Sequence, residues 1–506
     1  MSLLSACQPD PSVQATEYRS PEWFKTAVLY EIFVRSFRDS NGDGIGDLKG
    51  ITESLDYLQK LGVNTLWLTP IFSSPSYHGY DVSNYYSINP EFGTKEDLIE
   101  LVNAAHERRM YILLDYVASH TSSRHPFFVD ALKNPASQYA DFYLWKDESH
   151  STFQSYQGHN SMPTVNHASE KANRYFLDVA KYWMDLNQDG DYTDGIDGWR
   201  CDYAMGTPEA FWRSMRSELK TLNPNVLLLG EVWVKEPSGQ VGYFTDAFDA
   251  QFDFPLYFTL EGDPAISQDG LISGKSLVSL ATDRIKAGAA VFDPESILVR
   301  FLNNHDMDRT ASETGSDPAR DRLGALLIAT LNGVPMIYYG EEIGMTGKRG
   351  TGPLYDEFRR EPMEWGTYIN SPGTPYWFTR HQYIQDADGI SVEEQDADSG
   401  SLLNFYRYIL AIRKENPALS TGKYLQISLK EPNSQVWAFW RYSDDQVVGA
   451  FFNFGELEVS FEPDLSAMKD AKLEDAIELF HTGEYKTDTG AIQLAPASAV
   501  LFTFPH

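Results

Sequence analysis

The stretch at residues 198–202, GWRCD, is a short, largely apolar run that ends in a carboxylate, and residues 226–231, VLLLGE, have the same form. Such runs are continuous rather than alternating, as expected of parallel strands that are covered on both faces. Six more runs share this pattern: residues 28–33, 65–68, 110–115, 250–254, 297–301 and 335–339. Segments with helical periodicity separate the runs, so the chain predicts an α/β fold, a (β/α)8 TIM barrel.

The predicted barrel is interrupted once and is followed by a different kind of segment. The connection between the third and fourth runs is about 80 residues long, which predicts an inserted subdomain after strand 3. Beyond a predicted helix at residues 402–415, short strand-like runs recur, which predicts a C-terminal antiparallel β-sandwich. The expected domains are a tail (1–22), the barrel (23–117 and 173–418), the inserted subdomain (118–172) and the β-sandwich (419–506).

The composition is that of a globular protein and restricts the partners. Of the 506 residues, 42% are hydrophobic and 22% are charged, which excludes a mainly disordered or coiled-coil chain. The 41 Lys and Arg residues against 72 Asp and Glu residues give a formal net charge of −31. Since such a surface repels phosphate backbones and anionic lipids, we expect no nucleic-acid partner. Two cysteines cannot form a disulfide framework.

Acidic residues stand where several of the predicted strands end. Asp115 follows the third run, Asp202 the fourth, Glu231 the fifth and Asp306 the seventh. The carboxyl ends of the strands of a (β/α)8 barrel share one face, where such barrels carry their active sites. One acid at a strand end is often only a helix cap or an ion-pair partner. Four acids that converge are costly to bury without a chemical role, so they predict an active site.

Five motifs in a fixed order resemble those of the α-amylase superfamily, glycoside hydrolase family 13. They are Asp115-x4-His120 and residues 162–166 (MPTVN), 198–202 (GWRCD), 230–233 (GEVW) and 301–306 (FLNNHD). Residues 360–365, REPMEW, also resemble a motif of this family. The resemblance implies a retaining α-amylase that cleaves α-1,4-glucosidic bonds in starch and maltodextrins. An α-glucosidase or an α-glucan transglycosylase is the alternative, and a glycan-binding protein without activity is a third.

The resemblance gives each catalytic acid a role. Asp202 would be the nucleophile that forms a covalent glycosyl-enzyme, and Glu231 would be the general acid and base. Asp306 would hold the 2- and 3-hydroxyls of the sugar. Retaining glycosidases need two neighbouring carboxyls, one ionised and one protonated. Because Arg200 precedes Asp202 by two residues on the same strand face, we expect it to orient Asp202 and to lower its pKa.

A second set of residues is expected to bind the substrate. The resemblance places Tyr80 under the sugar ring, and His120 and His305 beside it in subsite −1. Trp233 follows the general acid by two residues and is expected to give it apolar cover. His78 stands where exo-acting α-glucosidases often carry an acid, which favours an open cleft and endo cleavage.

Two loops have oxygen donors at the spacing that hard cations such as calcium prefer. The first loop offers the side chains of Asp39, Asn41, Asp43 and Asp47 and the carbonyl of Ile45. The second loop offers Asp185, Asn187, Asp189 and Asp194. We expect calcium as the cofactor of both, with solvated acidic turns as the alternative. The resemblance also implies an interdomain calcium, but Ser119 and Gly206 stand at two of its ligand positions, so we do not expect it.

Residues 4–7, LSAC, resemble a bacterial lipobox, whose cysteine is acylated after signal cleavage. Cys7 would then be the lipidation site of a secreted or cell-envelope-anchored lipoprotein. No charged and apolar signal segment precedes this motif, so we expect that residues 1–2 stand in place of such a signal. The alternative is an accidental match to the lipobox in an N-terminal tail. We expect an α-glucan as the substrate, a monomer, and membrane contact only through such an anchor.

Overall fold

The computed structural model describes residues 20–263, 268–468 and 471–504, so Cys7 and most of the predicted tail lie outside the described residues. The strands in chain order are β1 (Leu29–Ile32), β2 (Thr65–Leu68), β3 (Phe72–Ser73), β4 (Asn84–Ile88), β5 (Tyr111–Tyr116), β6 (Gly198–Cys201), β7 (Leu227–Gly230), β8 (Ala250–Phe252), β9 (Gly262–Asp263), β10 (Gln268–Asp269), β11 (Ile297–Arg300), β12 (Val334–Tyr338), β13 (Lys423–Gln426), β14 (Val436–Tyr442), β15 (Val447–Asn453), β16 (Val459–Phe461), β17 (Ile477–Thr482), β18 (Tyr485–Asp488), β19 (Ala491–Leu494) and β20 (Ser498–Phe504).

Eight of these strands form a closed barrel in the order β1-β12-β11-β8-β7-β6-β5-β2, and every pair in it is parallel. Each of the eight predicted runs contributes one barrel strand, which confirms the (β/α)8 barrel. The runs are continuous because the strands are covered by helices outside and by a packed core inside. Leu29, Trp67 and Phe252 belong to that inner core and are at most 1% exposed.

Helices connect and surround the strands. They are α1 (Glu22–Lys25), α2 (Val34–Phe37), α3 (Leu48–Glu53), α4 (Leu55–Leu61), α5 (Lys95–Glu107), α6 (Pro126–Lys133), α7 (Glu170–Met184), α8 (Glu209–Leu222), α9 (Val241–Phe244), α10 (Phe254–Leu260), α11 (Val278–Val291), α12 (Thr310–Glu313), α13 (Pro318–Thr330), α14 (Val392–Asp396), α15 (Leu402–Glu415) and α16 (Pro417–Ser420). Their starts follow from capping chemistry: Thr94 and Asp97 form a capping box at α5, and the Ser169 hydroxyl accepts the Ala172 N–H at α7.

Two long connections rise above the carboxyl ends of the strands. The short antiparallel pair β3–β4 follows β2 and holds residues 74–83 between its strands. The connection from β5 to α7 contains α6 and an aromatic core, in which Phe128 packs against Tyr143, Trp145 and Phe153. The β3–β4 pair was not predicted, because a two-residue strand with an irregular register leaves no periodic signal.

The C-terminal strands form two antiparallel sheets, β13-β14-β15-β20-β17 and β16-β19-β18, as the sequence predicts. Trp440 and Phe451 of the larger sheet share a core with Phe461 of the smaller one. Trp437 and Phe452, on the opposite face of the larger sheet, join the core of the barrel. The larger sheet is therefore covered on both faces. No helix of the described chain is long and apolar enough to cross a bilayer.

Candidate active site

One buried arginine organises the carboxyl ends of β5, β6 and β7. Arg200 Nη1 donates to Asp202 Oδ1 at 2.9 Å and lies 3.1 Å from both carboxylate oxygens of Asp115. Its Nη2 contacts Glu231 Oε1. The guanidinium also lies over the ring of Trp67, 4.7 Å from its centroid. Three strand-end acids that are far apart in the chain thus meet at one cation.

Burial, Arg200 and the neighbouring carboxyls together shift the pKa values of Asp202 and Asp115. Burial raises the pKa of Asp202 well above its usual range and that of Asp115 to about 6, and Arg200 opposes both shifts. Arg200 therefore acts in the direction that the sequence predicts, but burial and the neighbouring carboxyls outweigh it. Because of burial and the neighbouring carboxyls, Asp202 and Asp115 retain protons more strongly than isolated acids would.

Glu231 is fixed by backbone as well as by Arg200. Its Oε2 accepts the N–H of Tyr203 at 2.8 Å, and its own carbonyl accepts the N–H of Ala204 at 3.0 Å. Trp233 lies beyond the end of β7 and stacks on Phe254, with the ring centroids 4.5 Å apart. The Glu231 carboxyl thus has an ionic partner and a backbone donor, and Trp233 lines the same cavity.

Asp306 is held by basic residues from the loop that follows β12. Arg360 Nη2 donates to its Oδ1 at 2.7 Å, and Arg360 Nε donates to the carbonyl of His305 at 2.9 Å. Burial acts to raise the pKa of Asp306, but His305 and Arg360 lower it to about 2. Its carboxylate is therefore ionised across the usual range of working pH.

Tyr80 and His305 form a stacked pair at the floor of the site. Their rings are 5.3 Å apart and 10° from parallel, and the Tyr80 hydroxyl lies 2.7 Å from His305 Nε2. The same hydroxyl donates to Asp115 Oδ2 at 3.1 Å. On its other side, His305 Nδ1 meets Glu31 Oε1. His305 is only 1% exposed, so the structure places it behind Tyr80.

The other two histidines present nitrogen atoms to the site in their neutral form. His120 Nδ1 lies 2.8 Å from the Ser119 hydroxyl, while its Nε2 is buried and has no protein partner. Burial lowers the pKa of His120 to about 3 and that of His78 to about 4. His78 Nδ1 accepts the N–H of Tyr80 at 3.1 Å, which leaves its Nε2 as the donor.

These side chains surround one cavity of about 770 Å³. The residues of the predicted site that line it are His78, Tyr80, His120, Asp202, Glu231, Trp233 and Asp306. Arg200 is 1% exposed and lies in the wall behind the carboxyls. A concave site with convergent polar groups and perturbed pKa values is the usual form of an enzyme active site.

A family comparison identifies this architecture. Residues 31–422 match the model of the α-amylase catalytic domain, which is most of the chain. The protein belongs to the α-amylase family. This confirms the predicted membership and makes the protein an enzyme that acts on glycosidic bonds by hydrolysis or transfer. The matched range ends at the start of β13, so it contains the barrel and the insertion and excludes most of the β-sandwich.

Individual members of the α-amylase family are similar over almost the whole chain. "Alpha-amylase 3" of Dictyoglomus thermophilum is 34% identical, over 96% of this chain and 95% of its own. "Trehalose synthase/amylase TreS" of Mycolicibacterium smegmatis is 30% identical, over 81% of this chain and 79% of its own. The crystal structure of an α-amylase from H. orenii is 32% identical with a TM-score of 0.80, over 95% of this chain and 100% of that chain.

Several contacts of this α-amylase-family site lay outside the sequence prediction. Arg360 belongs to the quoted REPMEW motif, but its contact with Asp306 joins loops 54 residues apart. Glu31 lies inside an apolar run and could not be told from a structural strand residue. Tyr203 and Tyr156 are ordinary loop tyrosines in the sequence, and only the fold brings their rings within 5.0 Å.

In both predicted calcium loops the first aspartate, Asp39 or Asp185, accepts backbone N–H groups of its own loop. In the first loop, the Asp39 carboxylate accepts the N–H groups of Asn41, Gly42 and Gly44, and Asp47 caps α3. In the second loop, Asp194 Oδ1 is buried without a hydrogen-bond partner. Within the described residues, no three His, Cys, Asp or Glu side chains are grouped as ligands of one ion. Loop amides and carbonyls would have to complete either site.

Proposed function

We propose that this protein is a retaining α-amylase that hydrolyses α-1,4-glucosidic bonds in starch and maltodextrins. The observation that carries the proposal is that Asp202, Glu231 and Asp306 line a single cavity while Arg200 contacts the first two. Two carboxyls on one guanidinium, with a third acid opposite, supply the nucleophile, the proton donor and the hydroxyl anchor that double displacement needs.

The reaction proceeds in two steps. Asp202, in the ionised form that Arg200 favours, attacks the anomeric carbon while Glu231 gives its proton to the leaving oxygen, so that a glycosyl ester forms and the glycosidic bond breaks. Glu231 then takes a proton from a water molecule that attacks the same carbon and releases Asp202. The ionised Asp306 accepts hydrogen bonds from sugar hydroxyls, and His120, whose Nε2 has no protein partner, lines the same cavity.

Neutral groups at one end of the cavity favour an oligosaccharide over a single terminal glucose. His78 presents a neutral imidazole donor, and Tyr77 accepts the Arg360 Nη1–H at 3.1 Å on its hydroxyl. Neither group is a carboxylate that would clamp the non-reducing end. An α-glucosidase or α-glucan transglycosylase remains the second candidate, and the similarity to a protein named trehalose synthase/amylase favours it.

Product analysis separates the two candidates. The purified enzyme is incubated separately with amylose, pullulan, maltotriose, sucrose, maltose, isomaltose and p-nitrophenyl α-glucoside, and the products are resolved by thin-layer chromatography. Maltose and maltotriose from amylose support the α-amylase. Glucose from isomaltose or p-nitrophenyl α-glucoside, or a non-reducing disaccharide from maltose, would show that the second candidate is right.

We also propose that calcium binds both acidic loops. The donor sets are entirely oxygen, as hard cations require. In the second loop, burial, Asp189 and Asp191 raise the pKa of Asp194, and a divalent cation would relieve this. Calorimetric titration of chelator-treated protein should give two binding events, and Asp189→Asn should remove one and Asp39→Asn the other. A flat titration of the chelator-treated wild-type protein would refute both sites.

The location of the enzyme is proposed from the sequence alone. We propose that Cys7 carries a lipid and anchors a secreted or envelope-bound enzyme to a membrane. Labelled palmitate should enter the full-length protein in its native cell, and Cys7→Ser should not be labelled. An unlabelled wild-type protein would refute the anchor without affecting the proposed activity.

A further inference from the structure

The residue that follows the nucleophile has an unusual backbone. Tyr203 lies at φ 38° and ψ 56°, the left-handed region that residues other than glycine and asparagine rarely adopt. Such conformations persist where the surrounding structure imposes them, and they cluster at functional sites. The cause must therefore be sought in what the Tyr203 backbone and ring contact.

The backbone of Tyr203 contacts the general acid. Its N–H donates to Glu231 Oε2 at 2.8 Å, and the next N–H, of Ala204, donates to the Glu231 carbonyl at 3.0 Å. The left-handed turn thus ties the segment after β6 to the residue that follows β7. This contact also fixes the position of the Glu231 carboxyl beside the segment that follows the nucleophile.

The ring of Tyr203 occupies the space beside Gly206, where the sequence provides no side chain. A Cβ at Gly206 would lie 2.3 Å from Tyr203 Cδ1, so the ring packs directly against this glycine, and the same Cβ would lie 3.1 Å from the Ser119 Cβ. From there the Tyr203 ring meets the ring of Tyr156 edge to face, with centroids 5.0 Å apart and planes at 86°. Tyr156 belongs to the inserted subdomain and packs on His120 at 4.9 Å.

The same space does not fit a cation. Positions 119 and 206 are those that the family resemblance links to an interdomain calcium. Here the Ser119 hydroxyl is paired with His120 Nδ1 at 2.8 Å, and Gly206 offers no side-chain donor. The Tyr203 ring lies against Gly206, and Ser119 approaches the same glycine. An aromatic ring, rather than an ion, fills the junction between barrel and insertion.

We propose that Tyr203 is a positioning residue that joins the inserted subdomain to the catalytic strand ends. Its ring holds Tyr156, and with it the subdomain wall that carries His120, while its backbone N–H holds Glu231. The consequence for the reaction rests on the proposed function, because it assumes that Glu231 is the general acid and base. The contact between the Tyr203 and Tyr156 rings, which forms the junction, does not depend on the identity of the substrate.

The first test measures that junction by hydrogen–deuterium exchange of the full chain, without any substrate. Tyr203→Gly keeps the left-handed backbone accessible but removes the ring, so peptides spanning residues 153–164 should exchange at least fivefold faster than in the wild type. Tyr203→Phe keeps the ring and should restore protection to within twofold. Equal exchange in wild type and Tyr203→Gly would overturn the proposal.

A second variant keeps the test informative if Tyr203→Gly fails to fold. Gly206→Ala leaves Tyr203 in place but pushes its ring away, so it should also accelerate exchange at residues 153–164. Gly352→Ala is the matched control, because a Cβ there meets nothing within 4 Å. If Gly206→Ala behaves like Gly352→Ala, the ring does not carry the junction and the proposal is wrong.

The pH profile tests the link to Glu231. On any substrate that the wild type cleaves, Tyr203→Gly and Gly206→Ala should displace the basic limb of kcat/KM, whereas a purely structural defect lowers the whole profile without moving it. An unmoved limb in both variants would overturn this part of the proposal. A wild type without activity on α-glucans would instead contradict the proposed function and leave the exchange result valid.

Discussion

At the scale of single residues, Arg200 is the centre of the site. It is 1% exposed and contacts three carboxyls from three strands. Removing Arg200 would leave three buried carboxyls without their cation, which is costly. The arrangement explains why the catalytic acids can be buried at all, and it makes their protonation states depend on one another.

The first prediction concerns the two reacting carboxyls. Asp202→Asn and Glu231→Gln should each lower kcat on maltodextrins by about 10³-fold or more, because each removes a group that acts in the transition state. Both substitutions are close to isosteric, so circular dichroism and the thermal midpoint should remain near those of the wild type. Activity within tenfold of the wild type in either variant would remove the role assigned to that residue.

Some residues of the site can be predicted from sequence and others cannot, for a physical reason. Asp202 and Glu231 each follow an apolar strand directly, and a barrel brings all strand ends to one face. Glu31 lies within a strand and Arg360 lies on a distant loop, so neither has a local signal. Tyr203 depends on a backbone angle that no side-chain pattern encodes.

At the scale of structural elements, the loop after β12 carries acids that burial keeps protonated. Burial raises the pKa of Glu364 to about 8 and that of Glu361 to about 7. Glu361 accepts the backbone N–H groups of Gln382, Tyr383 and Ile384, which fixes the loop that presents Arg360 to Asp306. The stability of this element should therefore depend on pH.

The second prediction follows from the sign of this shift. An acid whose pKa is higher in the folded than in the unfolded protein stabilises the folded state. This stabilisation is complete below the unfolded-state pKa and is lost as the pH rises through the folded-state pKa. The free energy of unfolding should thus fall between about pH 5 and pH 8. Glu364→Gln should reduce that fall by about 1–3 kcal/mol in denaturant titrations at the two pH values.

The control for this measurement is Glu415→Gln, which replaces an exposed glutamate at the end of α15. It should leave the pH dependence as in the wild type. A Glu364→Gln protein whose pH dependence matches that of the control would contradict the assigned protonation of the loop.

At the scale of the whole molecule, buried arginines join the barrel to the β-sandwich. Arg413 of α15 is 2% exposed, and its Nη atoms donate to the carbonyls of Ala329, Leu331, Gly333, Leu419 and Ser420. Arg441 of β14 similarly reaches the carbonyls of Thr330 and Gly422. These bonds satisfy the ends of α13 and α16 at the interface.

The third prediction tests this connection. Arg413→Met should lower the free energy of unfolding by about 3–5 kcal/mol, because it leaves five carbonyls without their buried donor. Lys414→Met, at the neighbouring exposed position, should change it by less than about 0.5 kcal/mol. Equal stabilities of the two variants would show that Arg413 does not hold the interface.

The overall fold was predictable because its signal is repeated. Eight continuous apolar runs, each followed by a helix, indicate a barrel even when the bounds of single strands shift by a residue or two. The inserted subdomain was predictable only as extra length and the β3–β4 pair was not predicted, since their short bridges have no period. Their contacts with the strand ends, which form the cavity, arise from tertiary packing.

The central claim is that Asp202 forms a covalent bond to the sugar while Glu231 serves the second step. It is tested most directly by incubating Glu231→Gln with α-maltosyl fluoride, whose leaving group needs no proton from an acid. The variant should be glycosylated and then stall, since it lacks the base that activates water, and peptide mass spectrometry should find a maltosyl ester on Asp202. A maltosyl group on another carboxyl, or fluoride release without any adduct, would contradict the account.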